Sequence, residues 1–552
     1  MAETEGTDAE ELHPHSREVA KGSFWGLAGN ILIKLISFVY MILIARAASQ
    51  SDVGLFYLAL SIVTIISVFS DIGISSALQR YIPYFEARNE HGKANGLLNW
   101  SYAILTVSGI VLTLVLWWEA DFIGSIYHSA ALPDAIRLIS TYLLLNNLFK
   151  LHYTYLQAKA DIRASQSVQN LQNFLKLVLT ALLFVLYGAS VTTMTVAFVL
   201  SYLLSLIPSS LIVHKTLGTS RVPAALSHRE LLSEVAPIGL LLAVMQSFSI
   251  IFASSDQLLL GYLAAPSKAI VMVAIYSLAT SLASVLLIFP SSVGNIFLPV
   301  VSGLAGKNDM DRMRAVLETA QRWSLFITLP FAITLMSFSA DILRVFYGSA
   351  YTSGATTMVI YSFGLVLFAV SYMTLLALAA LRLVRVEFGV TMAIGVVNIL
   401  LNILLIPPFG IEGAAVASTA GFAVGLLLLQ YYGEKLLGFR FPAEIWRLLA
   451  AAVLVFLVLL AADPLVSSLS VLLPASGSGT TQVYLLKSLY LLCLAVLVLL
   501  SMLLFMGCAL LFKCFRREDV SLMKSVMRRA LLPPPLISLA EKMASYGVSG
   551  RE

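Results

Sequence analysis

Apolar residues run along this chain in stretches of about twenty, separated by short polar breaks, from residue 22 to residue 512. A helix needs about 20 mostly apolar residues to cross a hydrocarbon core, at ~1.5 Å rise per residue. The pattern predicts about fourteen such spans, at 22–45, 53–79, 95–118, 132–156, 168–187, 191–213, 231–262, 270–300, 320–340, 354–380, 387–406, 411–432, 445–466 and 482–512. Only Gly188-Ala189-Ser190 separates the fifth from the sixth, so that turn must be tight. Pro407-Pro408-Phe409-Gly410 separates the eleventh from the twelfth and is a strong helix breaker.

The expected class is therefore an all-α integral membrane protein. Composition agrees: 59% of residues are hydrophobic and 12% charged, with a mean hydropathy of +0.89. A soluble domain carries about 25% charged residues, so this chain has too few charges to coat a water-exposed surface. The net charge of +5 gives no reason to expect a nucleic-acid partner; what matters is where the charges lie. With the N-terminus in the cytosol, 27 of the 35 lysines and arginines fall in cytosolic segments. Three fall in outer loops (Arg46, Lys268, Arg344) and five within spans (Lys34, Arg137, Lys150, Lys176, Lys487). So strong a positive-inside bias supports the span count and puts both termini in the cytoplasm of a multi-pass protein of the cell (plasma or inner) membrane.

The loops are too short for a folded extramembrane domain. The first twenty residues are acidic (Glu3, Glu5, Asp8, Glu10, Glu11) and lack the basic start and apolar core of a signal peptide, so they read as a disordered cytosolic tail. Residues 516–545 mix Arg516, Arg517, Lys524, Arg528 and Arg529 with apolar residues; they are either a solvated basic tail or an interfacial helix on anionic lipid. Cys493 and Cys508 fall on one predicted helix, roughly 22 Å apart, and with Cys514 form no disulfide or zinc framework.

An internal repeat appears at an offset of about 220 residues. Residues Val53–Ser61 resemble Val273–Ser281, and each segment opens an even-numbered span that ends near a proline, Pro83 or Pro299. Residues Val185–Ala197 resemble Pro407–Thr419, with Gly188 against Gly410. The expected organisation is a six-helix bundle at 21–215, a cytosolic linker at 216–230 and a second six-helix bundle at 231–435. An extra helix pair at 436–512 and a basic cytosolic tail at 513–552 follow. Repeats of this kind are common in transporters.

Charged side chains at membrane depth are costly and usually face a cavity or a partner. In the first span Ser23, Gly26, Asn30, Lys34 and Ser37 share a helix face, with Lys34 about 18 Å along from Gly22 and so near the midplane. In the fourth, Tyr142, Asn146, Lys150, Tyr153 and Gln157 form a second stripe, with Asn147 adjacent. In the fifth, Gln166, Gln169, Asn173, Lys176 and Thr180 form a third, with Asn170 and Gln172 beside it. The second half is plainer: Gln246, Ser249 and Asp256 in the seventh span, Thr391, Asn398 and Asn402 in the eleventh. Asparagines and glutamines also serve as glue between spans. Lysines with few neighbouring acids, of which Asp71 is the main one, instead suit a water-filled cavity for an anion such as phosphate or pyrophosphate.

No catalytic constellation, metal cluster or Walker A loop is present in the sequence, so no enzyme activity and no cofactor are expected. His13 and His15 lie in the tail and read as incidental.

Four segments resemble one family. They are Ala45–Phe56, Phe69–Arg80, Ser254–Gly261 with Ala274–Ser277, and Pro408–Ala415. They resemble polysaccharide-biosynthesis, or O-antigen (oligosaccharide-lipid), flippases of the multidrug/oligosaccharidyl-lipid/polysaccharide (MOP) exporter superfamily. The resemblance implies a MATE-like fold of two six-helix bundles around a central cavity. It also implies alternating access that moves a polyprenyl-linked oligosaccharide to the outer leaflet. The extra helix pair resembles the lipid II flippase branch. On this reading Lys34, Lys150 and Lys176 hold the lipid phosphate, and Asn30, Asn146, Asn147, Asn170 and Asn173 lie near the sugar. Asp71, Arg80 and Asp256 are candidates for gating or coupling. Membrane lipid, glycosyltransferases and a polymerase of the same pathway are the implied partners. Coupling to H+ or Na+ is compatible but not required, because an inside-negative potential drives an anion outward by roughly 2.3 kcal/mol per charge per 100 mV. The rivals are a cation-coupled drug antiporter, which would want buried carboxylates in the first half, and a membrane-embedded sugar transferase or polymerase, which would want acidic or His-rich outer loops. A non-transporting scaffold would not need deep lysines.

Overall fold

The computed structural model describes residues 5–71, 73–217, 223, 225–470, 481–516 and 519. The loop at 474–479, the tail from 520 onward and the side chains of Ser23 and Lys487 lie outside the description.

The described chain is helical. It opens with α1 (Glu5–Ala47), α2 (Gln50–Asp71), α3 (Ile74–Ala87), α4 (His91–Trp118), α5 (Ala120–Ile126), α6 (Leu132–Ser140), α7 (Tyr142–Ala158), α8 (Ile162–Tyr187) and α9 (Val191–Leu217). The single turn α10 (His228–Glu230) and a π segment lead into α11 (Ala236–Leu263), then α12 (Pro266–Ala283), α13 (Ile288–Gly306), α14 (Met310–Ser337), α15 (Ser339–Phe346) and α16 (Ala355–Ala380). Last come α17 (Val384–Leu437), α18 (Ala443–Ser470) and α19 (Thr481–Leu511).

Among the described residues nine helices are long and apolar enough to cross a membrane, ten if the bent pair α14–α15 counts as one span. The 54-residue α17 covers both the eleventh and twelfth expected spans. It is two helices that meet at a kink, where Gly410 is non-helical at φ 57° and ψ −126°, so the break expected within Pro407–Gly410 is present. The acidic segment expected to be disordered is helical from Glu5, consistent with carboxylates favouring a helix N-terminus. The apolar part of α1 runs from Ala28 to Ala47, with Lys34 about 9 Å inside its start.

The repeat is written in the backbone. Non-glycine residues with positive φ are uncommon, yet Asn89 and Asn308, His128 and Gly348, Ala160 and Arg382, and Gly188 and Gly410 all have positive φ and pair off at 219 to 222 residues. The short helices α5 and α15 precede the second of these pairs. The turns between spans therefore recur with the same hand, and Gly188 ends α8 in a conformation that only glycine adopts readily.

Two compact units emerge, residues 1–278 with 402–411 and residues 279–401 with 412–552. The first has a core from α3, α4, α7 and α9, completed by Leu226, Leu231 and Val235. The segment before α11 is thus docked: Ala225 N donates to the Gly92 carbonyl at 2.9 Å and Trp100 Nε1 to the Leu226 carbonyl at 3.3 Å. Ser227 and Glu230 form a capping box, with Glu230 N on Ser227 Oγ at 3.2 Å and Ser227 N on Glu230 Oε2 at 3.0 Å. The Ser227 N–H and hydroxyl, helped by Lys93, hold the Glu230 carboxyl down at about 2. The second unit's core comes from α13, α14, α16 and α17.

Candidate functional site

The polar face of α7 survives as a partly open stripe in the first unit: Tyr142, Asn146, Lys150, Tyr153 and Gln157 are all half-buried. Lys150 Nζ donates to Asp71 Oδ2 at 2.9 Å. The other oxygen of Asp71 accepts from the backbone N of Ser75 at 3.1 Å and from its hydroxyl at 2.8 Å. Asp71 ends α2 just before the left-handed Gly73, so one carboxylate both caps α3 and neutralises Lys150. Two residues singled out for different roles, phosphate holder and gate, are therefore one ion pair. Gln157 accepts from Gln79 at 3.1 Å, while Arg80 is exposed with no ion pair among the described residues.

Asn147 behaves as glue. It is buried, and its amide donates to Ser70 Oγ and to the Leu105 carbonyl, the latter at 3.0 Å, tying α7 to α2 and α4. Gly109 lets α4 approach this point: a Cβ there would stand 2.8 Å from Leu144 Cα.

On α8 the two asparagines turn their amide N–H groups back onto their own helix, Asn170 on the Gln166 carbonyl at 2.8 Å and Asn173 on the Gln169 carbonyl at 3.0 Å. The Asn170 oxygen is buried without a hydrogen-bond partner among the described residues. Asn173 Oδ1 accepts from Lys176 Nζ at 3.1 Å and from Ser37 Oγ at 3.5 Å, and the Lys176 ammonium sits 4.7 Å from the centre of the Tyr40 ring. Lys176 thus belongs to the α1–α8 seam. That seam is close: a Cβ on Gly29 would stand 2.5 Å from Gln166 Oε1.

Lys34 and Asn30, one turn apart on α1, are exposed. Lys34 makes no hydrogen bond or ion pair among the described residues. The three lysines therefore differ: Lys150 has a carboxylate, Lys176 an amide oxygen and a ring face, and Lys34 neither.

Asp256 on α11 is buried and accepts from Asn402 Nδ2 at 2.7 Å and from the Tyr276 hydroxyl. Asn398, four residues before Asn402, donates to Ser418 Oγ at 3.0 Å. The plain second-half stripes of the sequence thus become two separate buried polar contacts. Two further groups went unrecognised. Arg137, taken as an intramembrane charge, pairs with Asp121 at 2.5 Å and Asp134 at 3.4 Å on α5 and α6. His152 bonds Ser209 at 2.7 Å; a lone histidine amid apolar residues offered no sequence signal.

The sequence profile described as polysaccharide biosynthesis protein matches residues 19–304, more than half the chain. This chain belongs to the polysaccharide biosynthesis protein family. Among relatives, the "probable low-salt glycan biosynthesis flippase Agl15" of Haloferax volcanii is 22% identical over 425 residues, covering 77% of this chain and 85% of that one. Among solved structures, lipid II flippase MurJ in an inward closed conformation is similar with a TM-score of 0.64 and 15% identity, over 87% of this chain and 97% of that one. An inward-facing multidrug resistance MATE family transporter of the MOP superfamily is similar with a TM-score of 0.60 and 15% identity, over 75% of this chain and 98% of that one. This family member therefore has the helical fold shared by MurJ and MATE transporters.

Proposed function

We propose that this chain is a flippase that moves a polyprenyl-(di)phosphate-linked oligosaccharide from the cytosolic to the outer leaflet by alternating access, for cell-surface polysaccharide or glycan synthesis. The observation that carries this reading is the set of lysines within the apolar helices of the first unit. Lys34 and Lys176 lie within apolar helices without a carboxylate among the described residues, and Lys150 has one in Asp71. Lys34 with Asn30 is the first contact for the lipid phosphate, because both are exposed. Lys150 is recruited when the phosphate competes with Asp71 for the ammonium, which makes that pair a gate. Asn146, half-buried one turn from Lys150, faces the sugar. Asn147 is left out, since its amide is committed to packing.

The name of the glycan biosynthesis relative Agl15 supports the substrate class. Transport needs no chemistry from the protein, and an inside-negative potential favours outward movement of the anion. Asp256 is the candidate for a coupling H+ or Na+, being a buried carboxylate held by neutral donors Asn402 and Tyr276. The positive-inside bias supports a cell membrane location with cytoplasmic termini.

The test is reconstitution in proteoliposomes with a fluorescent polyprenyl-diphosphate sugar. Wild-type protein transfers the label between leaflets and Lys34→Ala abolishes transfer. Undiminished transfer by Lys34→Ala would end the role of Lys34; absence of transfer by the wild type, with a drug cation moved instead, would favour the antiporter.

A further inference from the structure

Five charged groups meet where α14, α18 and the segment after α19 converge in the second unit. Arg322 pairs with Asp519 at 3.0 Å, the two side chains being 3% and 4% exposed. Trp323 Nε1 donates to the same carboxylate at 3.1 Å. Arg516 pairs with Glu318 at 2.8 Å and reaches Glu444 through two of its nitrogens at 3.2 Å. Cys514 and Phe515 are buried between these pairs, with Phe515 against Phe326. The segment expected to begin a loose basic tail is thus clasped to the unit.

Two cations are left over. Arg447 Nη1 donates to the backbone carbonyl of Lys513 at 3.1 Å, which brings a guanidinium to the foot of a lysine. Neither Arg447 nor Lys513 has a carboxylate among the described residues, although Arg322 and Arg516 are both paired. The clasp fixes the backbone of 513–516 beside Arg447, so both cations belong to one surface. An anion within reach of both is attracted by each of them. Their setting defines the anion. Arg447 lies near the start of α18 and Lys513 just past the end of α19, so both sit at the same end of the helix pair. Trp446, Leu511 and Phe512 flank them and are exposed, Trp446 by 62%. An exposed tryptophan beside cations at a helix end is the arrangement that settles at the headgroup level of a bilayer.

The geometry points to a binding site for an anionic phospholipid headgroup, with Arg447 and Lys513 on the phosphate and Trp446 and Phe512 in the adjoining acyl boundary. The site is independent of what the chain transports. A headgroup there neutralises the two cations and holds the end of the extra helix pair at the membrane surface.

Native mass spectrometry of the full-length, delipidated protein in neutral detergent, titrated with phosphatidylglycerol or phosphatidylcholine, tests this. Wild type is expected to prefer phosphatidylglycerol. Lys513→Gln, which keeps the carbonyl that Arg447 uses, should weaken phosphatidylglycerol about fivefold and leave phosphatidylcholine unchanged. Arg312→Gln removes an exposed cation at the start of α14 and should change neither. Should Lys513→Gln prove poorly folded by thermal unfolding, Arg447→Lys decides: it keeps the charge and should retain the preference for phosphatidylglycerol. Equal loss in Arg312→Gln, no loss in Lys513→Gln, loss of the preference in Arg447→Lys, or displacement of the lipid by inorganic phosphate at matched concentration would each overturn a built headgroup site.

Discussion

The α1–α8 seam and the α11–α17 seam occupy matching places in the repeat but carry opposite charges. Lys176 and Asn398 are 222 residues apart, as are Thr180 and Asn402, the same spacing that separates Gly188 from Gly410. In the first seam the charged group is an ammonium, resting on the Tyr40 ring and the Asn173 oxygen. In the second it is the Asp256 carboxylate, taking hydrogen bonds from Asn402 and Tyr276. An ammonium can only donate and an ionised carboxylate can only accept, so each needed a different set of neighbours on a shared backbone. The two halves thus differ in side chains while the backbone of their turns matches.

The carboxylate seam should be the more fragile, and that is the first way to break the comparison. Asp256→Ala leaves Asn402 and Tyr276 as buried donors with their acceptor removed and should cost about 3 kcal/mol, measured by thermal or denaturant unfolding in detergent. A smaller loss would mean that the seam is not held by that carboxylate. Next come the paired glycines. Gly410→Ala should cost about 2 kcal/mol, because an alanine resists that backbone and its Cβ would meet Met272 Cε at 3.2 Å. Gly188→Ala strains the backbone alone, with nothing within 4 Å of the added Cβ, and should cost about 1 kcal/mol. If the order reverses, the two turns are not equivalent. The ammonium seam should be tolerant: Lys176→Met should shift stability by less than about 1 kcal/mol, since the ring face and amide lose only a soft contact and a charge leaves an apolar setting. A large loss would show that Lys176 is structurally required. Smallest of all, Ser37→Ala should change stability by less than about 0.5 kcal/mol, because its bond to Asn173 is already 3.5 Å long.

Much of the candidate site is legible in the sequence, because a polar stripe in an apolar helix needs only periodicity to be seen. Lys34, Asn146, Lys150 and Lys176 were picked out in this way, and Asp71 as the nearest acid. What periodicity could not supply was the partner. Asn146 and Asn147 are chain neighbours, yet one is half-buried on the open stripe and the other is locked between α2 and α4, since adjacent helical positions point about 100° apart. Asp519 lies in a stretch that reads as solvated tail, and nothing in its local sequence announces that Arg322, 197 residues away, buries it.

The sequence by itself determined that the chain spans a membrane many times, which end of each span carries the basic charge, and that a unit of about 220 residues recurs. These follow from transfer free energies and turn residues, which act locally and add along the chain. Only the tertiary structure decided which charges are neutralised, which amides hold helices together and which cations remain to meet a ligand. Those outcomes depend on side chains brought to within 3 Å across distant helices, and a buried charge takes whatever partner the packing delivers.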